Sequence, residues 1–110
     1  MNRGDIWMVN LGGKAGERPV VILTRQNVLA YLNKVAVAEI TTKGKGYPTE
    51  VYIDQKGNLA RQSFVQADNV HTVAKASLHK FVGTLDGETM ADVSRKVVLA
   101  LQLESCLLES

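Results

Sequence analysis

A chain of 110 residues, 45% apolar and 22% charged, has room for one domain over 1–110 with one modest hydrophobic core and reads as an ordinary globular protein. The formal net charge of +2 is too small to mark a polyanion binder, but it is unevenly spread: residues 1–61 carry nine Lys/Arg against five Asp/Glu, residues 62–110 four against six. A basic front half is either a face for an anionic ligand or a set of solvated loop lysines.

Residues 6–11 (IWMVNL) and 19–24 (PVVILT) are the first strands, the second apolar enough to be buried on both faces. Between them, Gly12-Gly13-Lys14-Ala15-Gly16-Glu17 has the composition of a mobile loop. A short helical turn fits 26–33, and a third strand fits 35–41 (VAVAEIT). Lys43-Gly44-Lys45-Gly46-Tyr47-Pro48 makes a second loop before a strand at 50–54, and Gly57-Asn58 makes a turn. Strands follow at 63–67, 69–73 and 80–85.

Asp86 is a good N-cap for a terminal helix, with Glu88 in its first turn. Met90, Val93, Val97, Ala100 and Leu101 fall on one helical face, and Leu103, Leu107 and Leu108 widen the apolar surface. Six or seven short strands and a closing helix describe a mainly β (α+β) fold, a small, strongly bent antiparallel sheet or barrel plugged by a helix.

Cys106 stands alone, so no intramolecular disulfide forms and a reducing compartment fits. Arg3, Gly4 and Asp5 interrupt any apolar leader, and no apolar run approaches the roughly 20 residues of a membrane span. The expectation is a cytoplasmic protein without a membrane partner. His71 and His79 are eight residues apart and Cys106 is distant from both, so no zinc-ligand spacing exists. No Walker-type phosphate loop or dinucleotide fingerprint occurs either, and the chain is expected to use no metal and no cofactor. His71 alternates in a polar strand context and reads as a surface histidine.

The informative strings are Arg3-Gly4-Asp5-Ile6-Trp7, then Gly16-Glu17-Arg18-Pro19-Val20-Val21-Ile22-Leu23, Ile40-Thr41-Thr42 and Lys45-Gly46-Tyr47-Pro48-Thr49-Glu50-Val51. Leu59 with Ser63, Ala67-Asp68-Asn69-Val70, Gly83-Thr84-Leu85 and Met90 with Val93 follow. Their order and spacing resembles the MazF/PemK family of toxin ribonucleases along nearly the whole chain. The resemblance implies an SH3-like barrel closed by a helix, as in MazF, CcdB and Kid relatives, and a homodimer. It also implies cleavage of single-stranded RNA and inhibition by a cognate antitoxin with an acidic, partly disordered segment. By the same resemblance, Arg18 before Pro19 is the catalytic arginine and Thr41 the catalytic threonine, with Glu17 standing for a loop glutamate. The loop before Arg18 is shorter than in the family, and Asn69 stands where many relatives have glutamine.

Elementary chemistry favours the same residues. Cutting RNA through its 2′-hydroxyl needs that oxygen deprotonated, the phosphorane charge stabilised and the 5′-oxygen protonated. A guanidinium is a rigid fork matched to phosphate oxygens and a poor base, which assigns Arg18 to charge stabilisation. Thr41 donates one hydrogen bond, and Glu17 is the candidate base nearest in sequence. Thr42, Lys14, Lys43 and Lys45 are the expected RNA contacts, the lysines reading equally as solvated loop charges. Trp7 fits core or dimer packing better than base stacking. Two other functions stay open: a CcdB-like toxin without catalysis, against which the position of the only tryptophan at Trp7 argues, and a barrel that only binds nucleic acid or a partner.

Overall fold

The residue pattern that decides the architecture is Val20-Val21-Ile22, three consecutive side chains that are all fully buried. Alternating side chains of a strand point to opposite faces, so a fully buried run needs cover on both. The computed structural model, which describes residues 1–108, supplies it with two cores. On one face Ile6, Val21, Ala38, Ile40 and Val65 pack under Met90 and Val93. On the other, Val9, Val20, Ile22, Val35 and Val37 pack with Leu29 and Leu78.

The elements are β1 (Asp5–Asn10), β2 (Glu17–Ile22), β3 (Lys34–Thr41), β4 (Glu50–Asp54), β5 (Ser63–Ala74), β6 (Leu78–Thr84), α1 (Gly87–Ala100) and α2 (Glu104–Leu108). The sheet order is β4-β5-β3-β2-β1-β6, every pair antiparallel. Of the bent sheet or barrel expected, the chain forms the bent sheet, with edges at β4 and β6. The turn at Lys56–Asn58 bridges the gap: the Asn58 side-chain amide donates to the Val82 carbonyl at 3.0 Å. A Cβ on Gly83 would fall on the Gly57 carbonyl, so this approach requires glycine.

Several expected boundaries change. The strands expected at 63–67 and 69–73 are one strand, β5, in which residues 67–69 bulge: Ala38 faces Val70 while Glu39 faces Gln66. The helical turn expected over 26–33 narrows to Gln26–Val28, and the next residue, Leu29, fills the second core. The loop after β1 is a closed turn rather than a loose one, with Leu11 N–H on the Gly16 carbonyl (2.9 Å) and Gly16 N–H on the Gly12 carbonyl (3.1 Å).

The opening Arg3-Gly4-Asp5 string is the seam between sheet and helix. The Arg3 guanidinium donates to the Ser94 hydroxyl at 2.8 Å and to the Leu23 carbonyl at 3.0 Å. Buried Asp5 accepts from the Asn2 N–H and the Thr84 hydroxyl, both at 2.8 Å. Asp86 caps α1 as expected, accepting from the Thr89 N–H at 2.7 Å. After α1 the backbone breaks at Gln102, with a positive φ of 56°, and Leu101, Leu103 and Leu107 are exposed. The side chain of Leu108 lies outside the described residues. Among the described residues no helix is long and apolar enough to cross a membrane.

Candidate active site

The β2–β3 ladder pairs Val20 with Glu39, Val21 with Ala38 and Ile22 with Val37. The recorded pairing ends there, and Arg18 and Thr41 each lie two residues beyond it, on β2 and β3. Side-chain alternation puts Arg18, Val20, Glu39 and Thr41 on one sheet face, and Glu17, Pro19 and Thr42 on the other. Arg18, half-buried and level with Val9 of β1, makes no hydrogen bond or ion pair among the described residues. Its five donors are free for a ligand. The Thr41 hydroxyl oxygen accepts from the Lys43 N–H at 3.1 Å, which leaves its own proton to donate.

Glu17 is separated from this pair. Neighbouring residues in a strand point to opposite sides, and the exposed Glu17 carboxylate instead meets Nε2 of His79 on β6 at 2.9 Å. Glu17, His79, Thr42 and Pro19 border a groove of about 580 Å³ with Arg61, Lys80 and the exposed Phe81. Lys14 sits in the β1–β2 turn, Lys43 and Lys45 in the β3–β4 loop, at the end of the sheet that carries Arg18 and Thr41.

That second loop is shaped by one carboxylate. Glu50 accepts from the N–H groups of Lys45 (2.9 Å), Gly46 (2.8 Å) and Tyr47 (3.3 Å). Burial pushes the Glu50 carboxyl up, but these donors and the Gln66 side chain together hold it below its ordinary value. Gly44 lies on the Phe64 ring, which a Cβ there would meet at 2.8 Å, and Phe64 stands opposite Thr41 and against Tyr52 with ring centroids 5.2 Å apart.

Sequence reasoning missed two histidine–carboxylate pairs, because each joins residues far apart in the chain. One is His79 with Glu17. The other is His71, expected as a plain surface histidine, whose Nε2 lies 2.6 Å from the Glu39 carboxylate on the face shared by Arg18 and Thr41. No three His, Cys, Asp or Glu side chains converge into a metal-binding group among the described residues.

Residues 2–101 match the family model of the PemK-like, MazF-like toxins of type II toxin–antitoxin systems. The chain belongs to this family. A MazF-like relative, the endoribonuclease MazF3 of Mycobacterium tuberculosis, is 43% identical over 68 residues, which is 62% of this chain and 66% of that protein, just under two thirds of its length. Among solved structures, the MazF-like fold of the Mycobacterium tuberculosis toxin MazF-mt6 superposes with a TM-score of 0.82 at 33% identity, covering 91% of this chain and 98% of that one. An endoribonuclease from a mycobacterial species, solved in complex with its cognate antitoxin, gives a TM-score of 0.84 at 26% identity, covering 94% and 96%. The MazF-like fold here is the bent six-stranded sheet with its helix.

Proposed function

We propose that this chain is an endoribonuclease toxin that cuts single-stranded RNA through the RNA's own 2′-hydroxyl, without a metal or cofactor. The observation that carries this reading is the unpartnered, half-buried Arg18 guanidinium, on the sheet face that also carries the donor hydroxyl of Thr41. The endoribonuclease name of its mycobacterial relatives supports it. Arg18 stabilises the charge that develops on the phosphate as the fifth oxygen bonds, and Thr41 donates to a non-bridging oxygen. Lys14, Lys43 and Lys45, in the two loops at this end of the sheet, contact the strand's phosphates, whereas Thr42, expected as a further contact, borders the opposite groove with Glu17. The exposed Glu17 carboxylate meets His79 rather than Arg18, which argues against it as the base.

The protein works in the cytoplasm as a homodimer. A cognate antitoxin neutralises it with an extended acidic segment that is disordered when free. The segment covers Arg18 and the two loops that flank it and excludes RNA by competition, so an antitoxin that binds together with RNA without weakening it contradicts this mechanism.

The deciding experiment is incubation of the pure protein with a mixed RNA transcript, with both ends of each cut identified. Discrete cuts that leave a cyclic phosphate and a 5′-hydroxyl are expected. They should persist in excess chelator and vanish at a site carrying a single 2′-deoxy substitution. A 5′-phosphate product or strict magnesium dependence overturns the reaction class.

A further inference from the structure

The loop that carries Lys43 and Lys45 is seated on an aromatic pair. Gly44 lies on the Phe64 ring, which a Cβ there would meet at 2.8 Å. Phe64 in turn stands against Tyr52 on the edge strand β4, with ring centroids 5.2 Å apart and planes tilted by 53°. Resting on the ribonuclease reading above, we infer that Tyr52, braced by Phe64, is the platform on which a nucleobase next to the cut stacks.

The recorded pairings place this platform beside the site. Phe64 is registered opposite Thr41 on β3 and opposite Tyr52 on β4, so the three side chains form one row on one face of the sheet. Tyr52 is two strand spacings from Thr41, about 10 Å. Stacking asks for no closer approach, because the sugar and base of a nucleotide reach outward from the phosphate that Thr41 contacts.

An aromatic pair across two strands is by itself a common way to stabilise a sheet. Three features here exceed that role. Tyr52 is 53% exposed despite its contact with Phe64, so much of its ring remains open to a ligand. Its hydroxyl donates to the Asp54 carboxylate, which holds the ring in place before RNA arrives. Gly44, packed on Phe64, sets the exposed Lys43 and Lys45 on either side of that contact in the chain. Aromatic rings interleaved with lysines suit single-stranded RNA: the lysines take the phosphates and the ring takes a base, with little regard to which base it is.

The test measures binding of a short RNA that contains one mapped cut site and is made uncleavable by a 2′-deoxy substitution there. Analogues that each lack one base near the cut are measured beside it. Tyr52→Leu should weaken binding of the intact analogue by a factor on the order of 5 to 150, the scale of one base on one ring. KM should rise by a similar factor, with kcat little changed. One abasic analogue should bind the wild type correspondingly less well and lose nothing further in Tyr52→Leu. Tyr52→Phe should keep the wild-type affinity. Tyr52→Trp should keep it too, and its added indole fluorescence should be quenched when the analogue binds.

Wild-type affinity in a Tyr52→Leu variant with an unchanged thermal midpoint, alongside a crippled Arg18→Ala, overturns the platform and leaves the ribonuclease reading intact. Equal weakening of the intact and every abasic analogue also overturns it, because Tyr52 then acts through the fold rather than through a base. An unquenched indole in Tyr52→Trp does the same. Tyr47, 55% exposed in the same loop, is the control: loss of the base dependence in Tyr47→Leu instead moves the stack there and ends the assignment to Tyr52. A wild-type protein that cuts no RNA overturns both readings.

Discussion

At the scale of single residues, the site is built from groups that the fold leaves unspent. Arg18 keeps all its donors and Thr41 keeps its proton, because the sheet satisfies the backbone around them. Arg18→Ala should therefore lower the cleavage rate by a factor on the order of 10² to 10³, the scale for one preorganised charge stabiliser. Thr41→Ala should cost less, as one neutral hydrogen bond is lost. Circular dichroism should show both variants folded, since neither side chain fills a core.

Glu50 makes a pH-dependent prediction. Its folded pKa is depressed by the backbone donors of the 45–47 segment, so its contribution is complete above the ordinary carboxylate range and is lost as pH falls through the folded value. Hydrogen-exchange protection of the Lys45, Gly46 and Tyr47 amides should drop on acidification. In Glu50→Gln it should already be reduced at neutral pH, and protection that ignores both changes would remove the clasp from this account.

At the scale of elements, β5 and the β4–β6 gap shape the molecule most. The bulge in β5 was hidden in sequence, because Ala67-Asp68-Asn69 has the composition of a break between two strands and gives no sign that pairing with β3 resumes beyond it. That misreading also concealed His71, whose face is set by the bulge. The gap depends on Gly83, whose missing side chain admits the Gly57 carbonyl. Gly83→Ala overpacks this contact and should destabilise the fold by about 1–3 kcal/mol. Thermal unfolding reads the loss directly; an unchanged midpoint would mean that the turn at 56–58 does not seat on β6.

At the scale of the whole molecule, two leucines at the end of α1 stand out into solvent. Leu101 and Leu103 are 54% and 41% exposed around the break at Gln102. One face of a small sheet core packs against α1, and these leucines pack against neither core. The homodimer proposed above would cover this surface with a second copy related by two-fold symmetry. Sedimentation at micromolar concentration should show a species of twice the 12.0 kDa chain mass; a monomer alone would count against the dimer.

The sequence by itself determined most of the elements, whereas the single core expected from chain length is two, one on each face of the sheet. β-branched runs at residues 19–24 and 35–41 encode strands through alternation and burial, and Asp86 encodes the helix start through a local hydrogen bond, so each was legible within a few residues. The strings around Arg18 and Thr41 likewise marked both residues, since β2 and β3 hold them at the ends of recognisable runs. Tertiary structure alone decided which side chains meet. Glu17 and Arg18 are adjacent in the chain yet point to opposite faces, and the partners Glu39 with His71 and Glu17 with His79 lie 32 and 62 residues apart. Those pairings follow from strand order, register and one bulge, quantities set by long-range packing that no local pattern of residues encodes.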